Sequence, residues 1–402
     1  MTYLIILFFT LLLSYHYDYR KEIKFKNEAY IVLLLIAICV AGLRFRIGSD
    51  TIGYEHDFLW IPSLDKFFDI DFSSSRIRPG YVLLASICKT LFGSFIAVQF
   101  VQAIIVNSII FWFIYKNTNH IFIGVFIYFI YSYLYFNTEI MREAIAVAIF
   151  LISWKYFNTN KWIKYYICIY FACYFHTSAY ILLLLPIVKL KFINQFFSYN
   201  YKTLIAILAT FFLCAALSSY FNEYIRLISI SEIETYSTIY NMDKQLENSS
   251  IDNIRRLITF SILNISYPAI CFYIMKINKE KHIKQLETMI CVSIYITVFS
   301  IFIPIFARFN NYFILFLVIM MSDTLYSKVK FRNLRLKTSF ALWMIFLTPF
   351  LFSPLKSLTL TDKNTGIMMG RRYIPYENVI FPSEDEQREE LYRSMGLSNY
   401  QV

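Results

Sequence analysis

Apolar blocks of roughly membrane length follow one another along most of this chain, and short polar stretches separate them. About 20 apolar residues are needed for a helix to cross the hydrocarbon core of a bilayer. Hydrocarbon offers no hydrogen-bond partner, so a crossing segment must satisfy its own backbone as a helix or a closed barrel. The chain is 58% hydrophobic and only 16% charged, outside the range of soluble domains. We therefore predict an all-α, polytopic integral membrane protein.

The blocks predict about 12 transmembrane helices plus one half-helix. The predicted spans are Thr2–Tyr17, Ala29–Leu43, Ser94–Tyr115, Ile121–Phe136, Glu143–Phe157, Trp162–Phe175, Ala179–Leu190, Thr203–Phe221, Leu257–Met275, Thr288–Phe306, Asn310–Ser327 and Thr338–Phe352. Pro79–Gly93 is apolar but short and contains Lys89, so we interpret it as a re-entrant or interfacial half-helix. The first block has no basic segment before it and is expected to be a retained helix rather than a cleaved signal.

The orientation follows from the short basic loops. If the spans alternate, about half of the 38 Lys and Arg residues fall on one side, which should be the cytoplasm. Both termini and two long loops, residues 44–78 and 222–256, are then outside. Residues 1–352 form the transmembrane domain in this reading, and residues 353–402 form a polar outer tail. In that tail, Ser383-Glu384-Asp385-Glu386 predicts a capping box and Gly396 predicts the end of a short helix.

Composition also excludes several classes of protein. The net charge of +11 comes from Lys and Arg placed between apolar blocks, so it does not indicate nucleic-acid binding. All seven cysteines lie in apolar stretches without a Cys-x-x-Cys motif, which argues against a disulfide framework and against a zinc site. Only nine glycines occur, and none form the glycine-rich loop of a nucleotide-binding fold.

Charged side chains at the outer edges of the spans are the candidates for chemistry, because they oppose the general charge bias. Their common placement predicts that they converge on one outer cavity, where arginine would bind phosphate and a carboxylate or imidazole would act as a base. The residues are Arg44, Arg46, Asp50, Arg142, His176 and Arg308.

Each of these residues has a plainer reading when it is taken alone. An arginine at the end of a span can extend to lipid headgroups. His176 can be a hydrogen-bonding residue at a helix end, and Asp50 can cap a turn. Glu143 can pair with Arg142 or sit favourably in a first helical turn.

Several short motifs follow one another along the chain in a fixed order. The first is Arg44-Phe45-Arg46-Ile47-Gly48-Ser49-Asp50 followed by Tyr54. The others are Pro79-Gly80-Tyr81, Met141-Arg142-Glu143-Ala144-Ile145-Ala146, Phe175-His176-Thr177-Ser178-Ala179, Arg308-Phe309-Asn310-Asn311-Tyr312 and Tyr373-Ile374-Pro375-Tyr376. The ordered set resembles the EpsG family of Wzy-type bacterial polysaccharide polymerases, and the first motif is similar to the family's Arg-x-x-x-Gly-Thr-Asp…Tyr signature.

Some positions depart from the family pattern. Glu143 stands where glutamine is usual, Arg78 stands where an acidic residue is common, and Ser49 replaces threonine. Arg46 occupies a variable position, which makes Arg44 the stronger candidate of the two arginines.

The resemblance implies a metal-independent membrane glycosyltransferase without a cofactor, located in the bacterial plasma (inner) membrane with its site facing outwards. Its substrates would be undecaprenyl-diphosphate-linked repeat units of an O-antigen, capsule or exopolysaccharide. The implied roles are a pyrophosphate clamp (Arg44, Arg142, Arg308), a general base (Asp50 or His176) and further site positions (Arg46, Gly48, Tyr54, Tyr81, Glu143, Tyr312). The expected partners are membrane lipids, a chain-length regulator and a flippase.

Three other functions remain open at this point. A glycan flippase or other transporter would place its charges along a central path. A ligase at the outer face would transfer whole glycans. A membrane acyltransferase would place its working residues towards a cytoplasmic acyl donor.

Overall fold

The computed structural model describes residues 2–70, 72, 78–198, 201–227, 283–303, 306–326, 358–362 and 364–397. Within these ranges the chain forms helices and loops, with isolated β-bridges and no β-strand. It divides into two units, one of Met1–Tyr180 with Leu334–Val402 and one of Ile181–Asn333. Two predicted spans, Leu257–Met275 and Thr338–Phe352, lie outside the described residues.

Most helices of the first unit follow the predicted spans, because each apolar block is long enough to form a helix and is bounded by polar residues. One helix, Ser49–Trp60, lies instead within residues 44–78, the predicted outer loop. The helices are α1 (Thr2–Leu13), α2 (Lys26–Gly42), α3 (Ser49–Trp60), α4 (Pro79–Phe92), α5 (Phe95–Asn117), α6 (Ile121–Tyr128), α7 (Met141–Asn158) and α8 (Trp162–Phe175). Wider π-helical turns extend α1 over Ser14–Tyr19 and α6 over Phe129–Tyr133 and Tyr135–Glu139. A 3₁₀ helix, Thr177–Lys189, follows α8 in place of the predicted seventh span.

Among the described residues, one helix is long and apolar enough to cross a membrane by length and composition, and that helix is α5. The other apolar helical stretches of the described chain are 10 to 17 residues long, such as Tyr201–Cys214 and Leu286–Phe302. The number of spans and their orientation therefore stay predictions.

The distribution of polar side chains in the first unit is typical of a protein surrounded by lipid. Large apolar residues face outwards from α1, where Leu4 is 67% exposed and Phe8 is 63% exposed. The interior of the bundle instead buries amides, and Asn107 Nδ2 donates to Asn137 Oδ1 at 2.9 Å. Tyr128 completes this network by donating to Asn107 Oδ1 at 3.0 Å. Buried amides of this kind are stable because each finds a partner inside the bundle.

The predicted half-helix is α4, whose 14 residues are too short to cross the hydrocarbon core. Pro79 occupies its first turn, and Gly93 ends it with a left-handed φ of +64°. Lys89 donates to the backbone oxygens of Phe58 (3.0 Å), Leu59 (3.0 Å) and Ile61 (2.6 Å). The charge that interrupts this apolar segment therefore caps the C-terminal end of α3.

The described residues of the second unit form five α-helices, and Asn310–Tyr312 forms a short 3₁₀ turn. The helices are α9 (Lys191–Asn194), α10 (Tyr201–Leu227), α11 (Ile283–Phe302) and α13 (Ile314–Tyr326), with the one-turn α12 (Phe306–Phe309) between the last two. Because α10 continues to Leu227, the predicted outer loop that begins at Asn222 starts too early. The remainder of its predicted surface helix lies outside the described residues.

The polar tail contains a short helix, α14 (Glu386–Ser394), close to the predicted position. Its N-cap is Asp385, whose carboxylate accepts from the Arg388 amide at 2.9 Å. The predicted cap at Ser383 is wrong, because the Ser383 hydroxyl donates to Glu377 at 3.1 Å instead. Gly396 has a φ of +74° just beyond the helix, so the predicted stop is confirmed.

Candidate active site

The turn before α3 requires glycine at position 48. Gly48 has a φ of +94°, and a Cβ atom there would lie 2.5 Å from the Cβ of Thr138. Both the backbone conformation and the close approach therefore exclude a larger residue. The turn brings the N-terminus of α3 against the end of the π-helical segment that follows α6.

Glu139, at the end of that segment, is the residue on which this region converges. It is buried, and its Oε2 accepts from the Ser49 hydroxyl at 2.7 Å and the Asp50 amide at 3.2 Å. Its Oε1 accepts from the Ser49 amide at 3.3 Å and the Tyr373 hydroxyl at 2.6 Å. Arg372 lies 3.7 Å from the same oxygen. A carboxylate in this position satisfies the free amides at the start of α3 and balances a nearby cation.

Sequence analysis does not identify Glu139 or Arg372, although one signal for Glu139 is present. A carboxylate within four residues of the end of an apolar block needs a partner if it is buried. That signal does not reveal the partner, because Tyr373 lies 234 residues further along the chain.

The widened π turns leave backbone oxygens that accept hydrogen bonds from polar side chains on neighbouring helices. Gln102 on α5 donates to the Phe136 oxygen at 3.2 Å, and Thr51 on α3 donates to the Thr138 oxygen at 2.9 Å. Tyr54 donates to the backbone oxygen of Glu139 at 3.3 Å. Helix α3 is thus attached to the π-helical segment by side chains as well as by Glu139.

The polar tail is part of this arrangement. The Gly48 amide donates to the Arg372 oxygen at 3.1 Å, and the Phe45 amide donates to the Glu377 oxygen at 3.0 Å. Glu377 in turn accepts from the buried Arg388 at 2.7 Å. The tail therefore holds the loop before α3 in place through both backbone and charged contacts.

Arg46 points towards the tail. Its guanidinium donates to both carboxylate oxygens of Glu389 at 2.8 Å, and Glu55 lies 3.9 Å away. A bidentate pair of this kind already uses the planar fork with which arginine would bind phosphate. The structure therefore supports a positioning role for Arg46 rather than the predicted substrate contact.

Arg44 is buried, with only 1% of its surface exposed. It donates to the Ala41 oxygen, to Thr51 Oγ1 at 3.4 Å and to Met141 Sδ at 3.3 Å, while its Nε has no partner among the described residues. Burial lowers the pKa of Arg44 to about 10. The guanidinium therefore stays charged at neutral pH.

Arg142, in the first turn of α7, lies against two tyrosines. Its guanidinium carbon is 5.1 Å from the ring centre of Tyr54 on α3 and 6.0 Å from that of Tyr81 on α4. Its Nε and the buried Tyr81 hydroxyl have no hydrogen-bond partner within the described part of the chain. A cation in the first turn of a helix is opposed by the helix dipole. An anion bound at this point would offset that opposition and use the open donors.

The start of α4 is held close to α8, which places Tyr81 beside Arg142. A Cβ atom on Gly80 would lie 2.8 Å from the backbone oxygen of Tyr174. The Pro-Gly-Tyr motif therefore combines a helix start, a close backbone contact and an aromatic wall for the arginine.

His176 follows α8 and faces Glu143, the residue after Arg142 on α7. Its Nε2 lies 4.0 Å from an oxygen of Glu143, and its Nδ1 lies 2.6 Å from the Ser178 hydroxyl. Asp50 has a different environment, since its side chain is exposed in the first turn of α3.

Arg308 and Tyr312 belong to the second unit. Arg308 lies in the one-turn helix α12, and Tyr312 is buried two residues into the following 3₁₀ turn. Between them Asn310 donates to Thr297 Oγ1 on α11 at 2.9 Å. The Arg-Phe-Asn-Asn-Tyr motif is thus held against α11 by its first asparagine.

Comparison with known families gives one match, in which the model of the EpsG family covers residues 28–378. The chain belongs to the EpsG family. This membership indicates a membrane-associated protein with a polymerase function related to exopolysaccharide synthesis. No curated protein and no solved structure matches the chain significantly.

In this EpsG protein, most of the residues selected from the sequence come together at the N-termini of α3, α4 and α7. Gly48 builds the turn, Tyr54 and Tyr81 flank Arg142, and Glu143 faces His176. Arg44 and Arg46 support the same region from within the protein.

Proposed function

We propose that this EpsG-family protein is a polysaccharide polymerase that joins undecaprenyl-diphosphate-linked repeat units at the outer face of the bacterial plasma membrane. Family membership supports polymerase chemistry. The observation that carries the proposal further is Arg142, a cation in a helix first turn with an open donor between two tyrosine rings. An arginine in this setting suits a diphosphate.

The reaction transfers the growing glycan from its lipid carrier to the incoming repeat unit. The bond between the anomeric carbon and the diphosphate oxygen breaks, and the diphosphate keeps the electron pair. A hydroxyl at the non-reducing end of the incoming lipid-linked unit forms the new glycosidic bond, and its proton passes to a base. Negative charge therefore grows on the diphosphate in the transition state.

Arg142 would stabilise that charge. Its guanidinium lies between the rings of Tyr54 and Tyr81, so it needs little reorganisation when the charge develops. Arg44 adds positive charge from inside the protein next to Met141. The family motif by itself makes Arg308 a further candidate for binding the diphosphate.

Asp50 is the proposed general base. It precedes Tyr54 by four residues on α3, so the two side chains lie on the same face of the helix. Because Arg142 lies over the Tyr54 ring, a diphosphate bound by Arg142 and a sugar hydroxyl near Asp50 would share that face. The exposure of Asp50 leaves its carboxylate accessible to an acceptor.

Deletion of the gene in the source bacterium tests the function. A polymerase mutant loses long chains but keeps single repeat units on its surface glycan, as seen on a silver-stained gel. Loss of every unit would instead indicate a flippase or a ligase and would refute the proposal.

The same strain tests the proposed base. Asp50→Asn is expected to restore no long chains because the amide cannot accept the proton, whereas Asp50→Glu should restore part of the ladder. Glu28→Gln serves as a matched control because Glu28 is exposed in the first turn of α2. A full ladder from Asp50→Asn, at a normal protein level, would exclude Asp50 as the base.

A further inference from the structure

The orientation of the His176 ring is set by Ser178. The Ser178 amide nitrogen lies 3.2 Å from Nδ1, and because an amide N–H can only donate, Nδ1 accepts this hydrogen bond. The neutral ring therefore carries its proton on Nε2. The Ser178 hydroxyl lies 2.6 Å from the same Nδ1 and can either donate to it or accept from it.

The protonated nitrogen faces a buried carboxylate. Nε2 lies 4.0 Å from Oε2 of Glu143, which is the distance of an ion pair if the imidazole is charged. The Glu143 side chain is only 2% exposed and that of His176 is 14% exposed, so solvent screens this pair weakly. When the ring gains its second proton on Nδ1, that N–H can donate to the Ser178 hydroxyl, and it then replaces the hydrogen bond that Nδ1 accepted from the Ser178 amide.

The elements around His176 carry charges of both signs, since Asp57 on α3 acts electrostatically on Arg142 and Tyr81. Arg142 precedes Glu143 on α7, and Arg78 precedes α4, which packs against α8. On α8 itself the nearest titratable groups are Cys173 and Tyr174, which are uncharged at neutral pH. Among the described residues of these packed elements, Glu143 is the carboxylate that lies at ion-pair distance from His176.

We infer that Glu143 holds His176 as an imidazolium at neutral pH, so that His176 supplies a second positive charge beside Arg142 instead of acting as a base. A neutral His176 has its Nδ1 lone pair occupied by Ser178 and a proton on Nε2. Neither nitrogen of the neutral ring is then placed to remove a proton from a sugar hydroxyl. Glu143 is a positioning residue in this scheme, and only the use of the charge by a diphosphate rests on the proposed function.

The protonation state is measured directly by NMR of histidine labelled with ¹³C at the ring, in the full-length protein in phosphatidylcholine nanodiscs. The chain has five histidines, so His176→Asn identifies the resonance of His176. We expect the midpoint of its titration to lie above about 7, compared with about 6.5 for an ordinary histidine. In Glu143→Gln the midpoint should fall by at least about one pH unit, as the loss of an opposite charge at this distance requires.

Two further variants keep the test decisive. Glu143→Asp retains the charge and should keep most of the raised midpoint, which covers the case in which Glu143→Gln does not fold. Glu28→Gln removes an exposed carboxylate elsewhere in the same unit and should leave the midpoint of His176 unchanged. A wild-type midpoint below about 7, or no change in Glu143→Gln, would overturn the inference.

Polymerisation across pH gives an independent readout. If the imidazolium is needed, wild-type activity falls as the pH rises through the midpoint of His176, and in Glu143→Gln this fall begins at least about one pH unit lower. Activity that instead falls with decreasing pH through that midpoint would show that the neutral ring is the working form, against the inference. If the protein forms no polymer at all, the proposed function fails while the NMR titration still decides the protonation of His176.

Discussion

Replacing Glu139 with glutamine is expected to release the N-terminus of α3. The wild-type carboxylate accepts from two backbone amides, Ser49 to Oε1 and Asp50 to Oε2. A glutamine has only one oxygen, so in either orientation its NH₂ group faces one of these amides, and an amide cannot rotate to accept. The hydroxyls of Ser49 and Tyr373 can reorient, but the backbone donors cannot.

The size of the effect follows from these contacts. One buried backbone N–H without a partner costs about 1–3 kcal/mol, and the weakened interaction with the partly buried Arg372 adds about 1 kcal/mol. Local stability at the start of α3 should therefore fall by about 2–4 kcal/mol. A free-energy change of about 1.4 kcal/mol corresponds to a tenfold change in an equilibrium constant. The lower value therefore corresponds to a roughly 25-fold larger equilibrium constant for local opening.

Hydrogen–deuterium exchange with mass spectrometry measures this opening on peptides that cover residues 45–55. The matched control is Glu55→Gln on the same helix, because the Glu55 side chain is 44% exposed and should contribute about 0.5 kcal/mol or less. Exchange in Glu139→Gln that stays within about threefold of the control would refute the assignment of Glu139 as the anchor of α3.

Three further predictions follow from the geometry. Gly48→Ala should cost about 2–4 kcal/mol, from the positive φ and the clash with Thr138, and a thermal unfolding midpoint equal to that of the wild type would contradict this. Arg142→Lys keeps the charge but loses the planar guanidinium that lies against the two tyrosine rings, so chain extension should drop at least about tenfold at a normal protein level. Unchanged chain lengths would show that a diffuse charge is sufficient. In a cysteine-free background, Thr177→Cys should be labelled from outside the cell and Asn160→Cys only after the membrane is opened, and the reverse pattern would overturn the orientation.

The sequence by itself determined the helical architecture and several local features. Apolar blocks of limited length predict where helices begin and end, because helix formation depends on residues three to four positions apart. Pro79 at the start of α4 and Gly396 beyond α14 act through the conformation of their own backbone, so they are recognised without knowledge of any partner. The family motifs also selected Gly48 and Arg142, which the structure brings to one region.

Sequence reasoning fails where a charged residue takes a partner far along the chain. Lys89 is interpreted from the sequence as an interruption of an apolar segment, whereas the structure shows that it caps α3. Arg46 is selected as a substrate contact, but it binds Glu389, which is 343 residues away. A charge in an apolar setting signals that a partner is needed, yet many carboxylates and backbone oxygens in the chain meet that need equally well.

Only the tertiary structure decides which of these possible partners each charged residue contacts. Glu139 joins the start of α3 to the polar tail because packing brings Ser49 and Tyr373 to the same carboxylate. Likewise, the proton position on His176 depends on a hydrogen bond from Ser178 and on the approach of Glu143 from another helix. Local sequence sets the preferences of each segment, while the choice among long-range partners is made by the packing of the helices, which no pattern along the chain records.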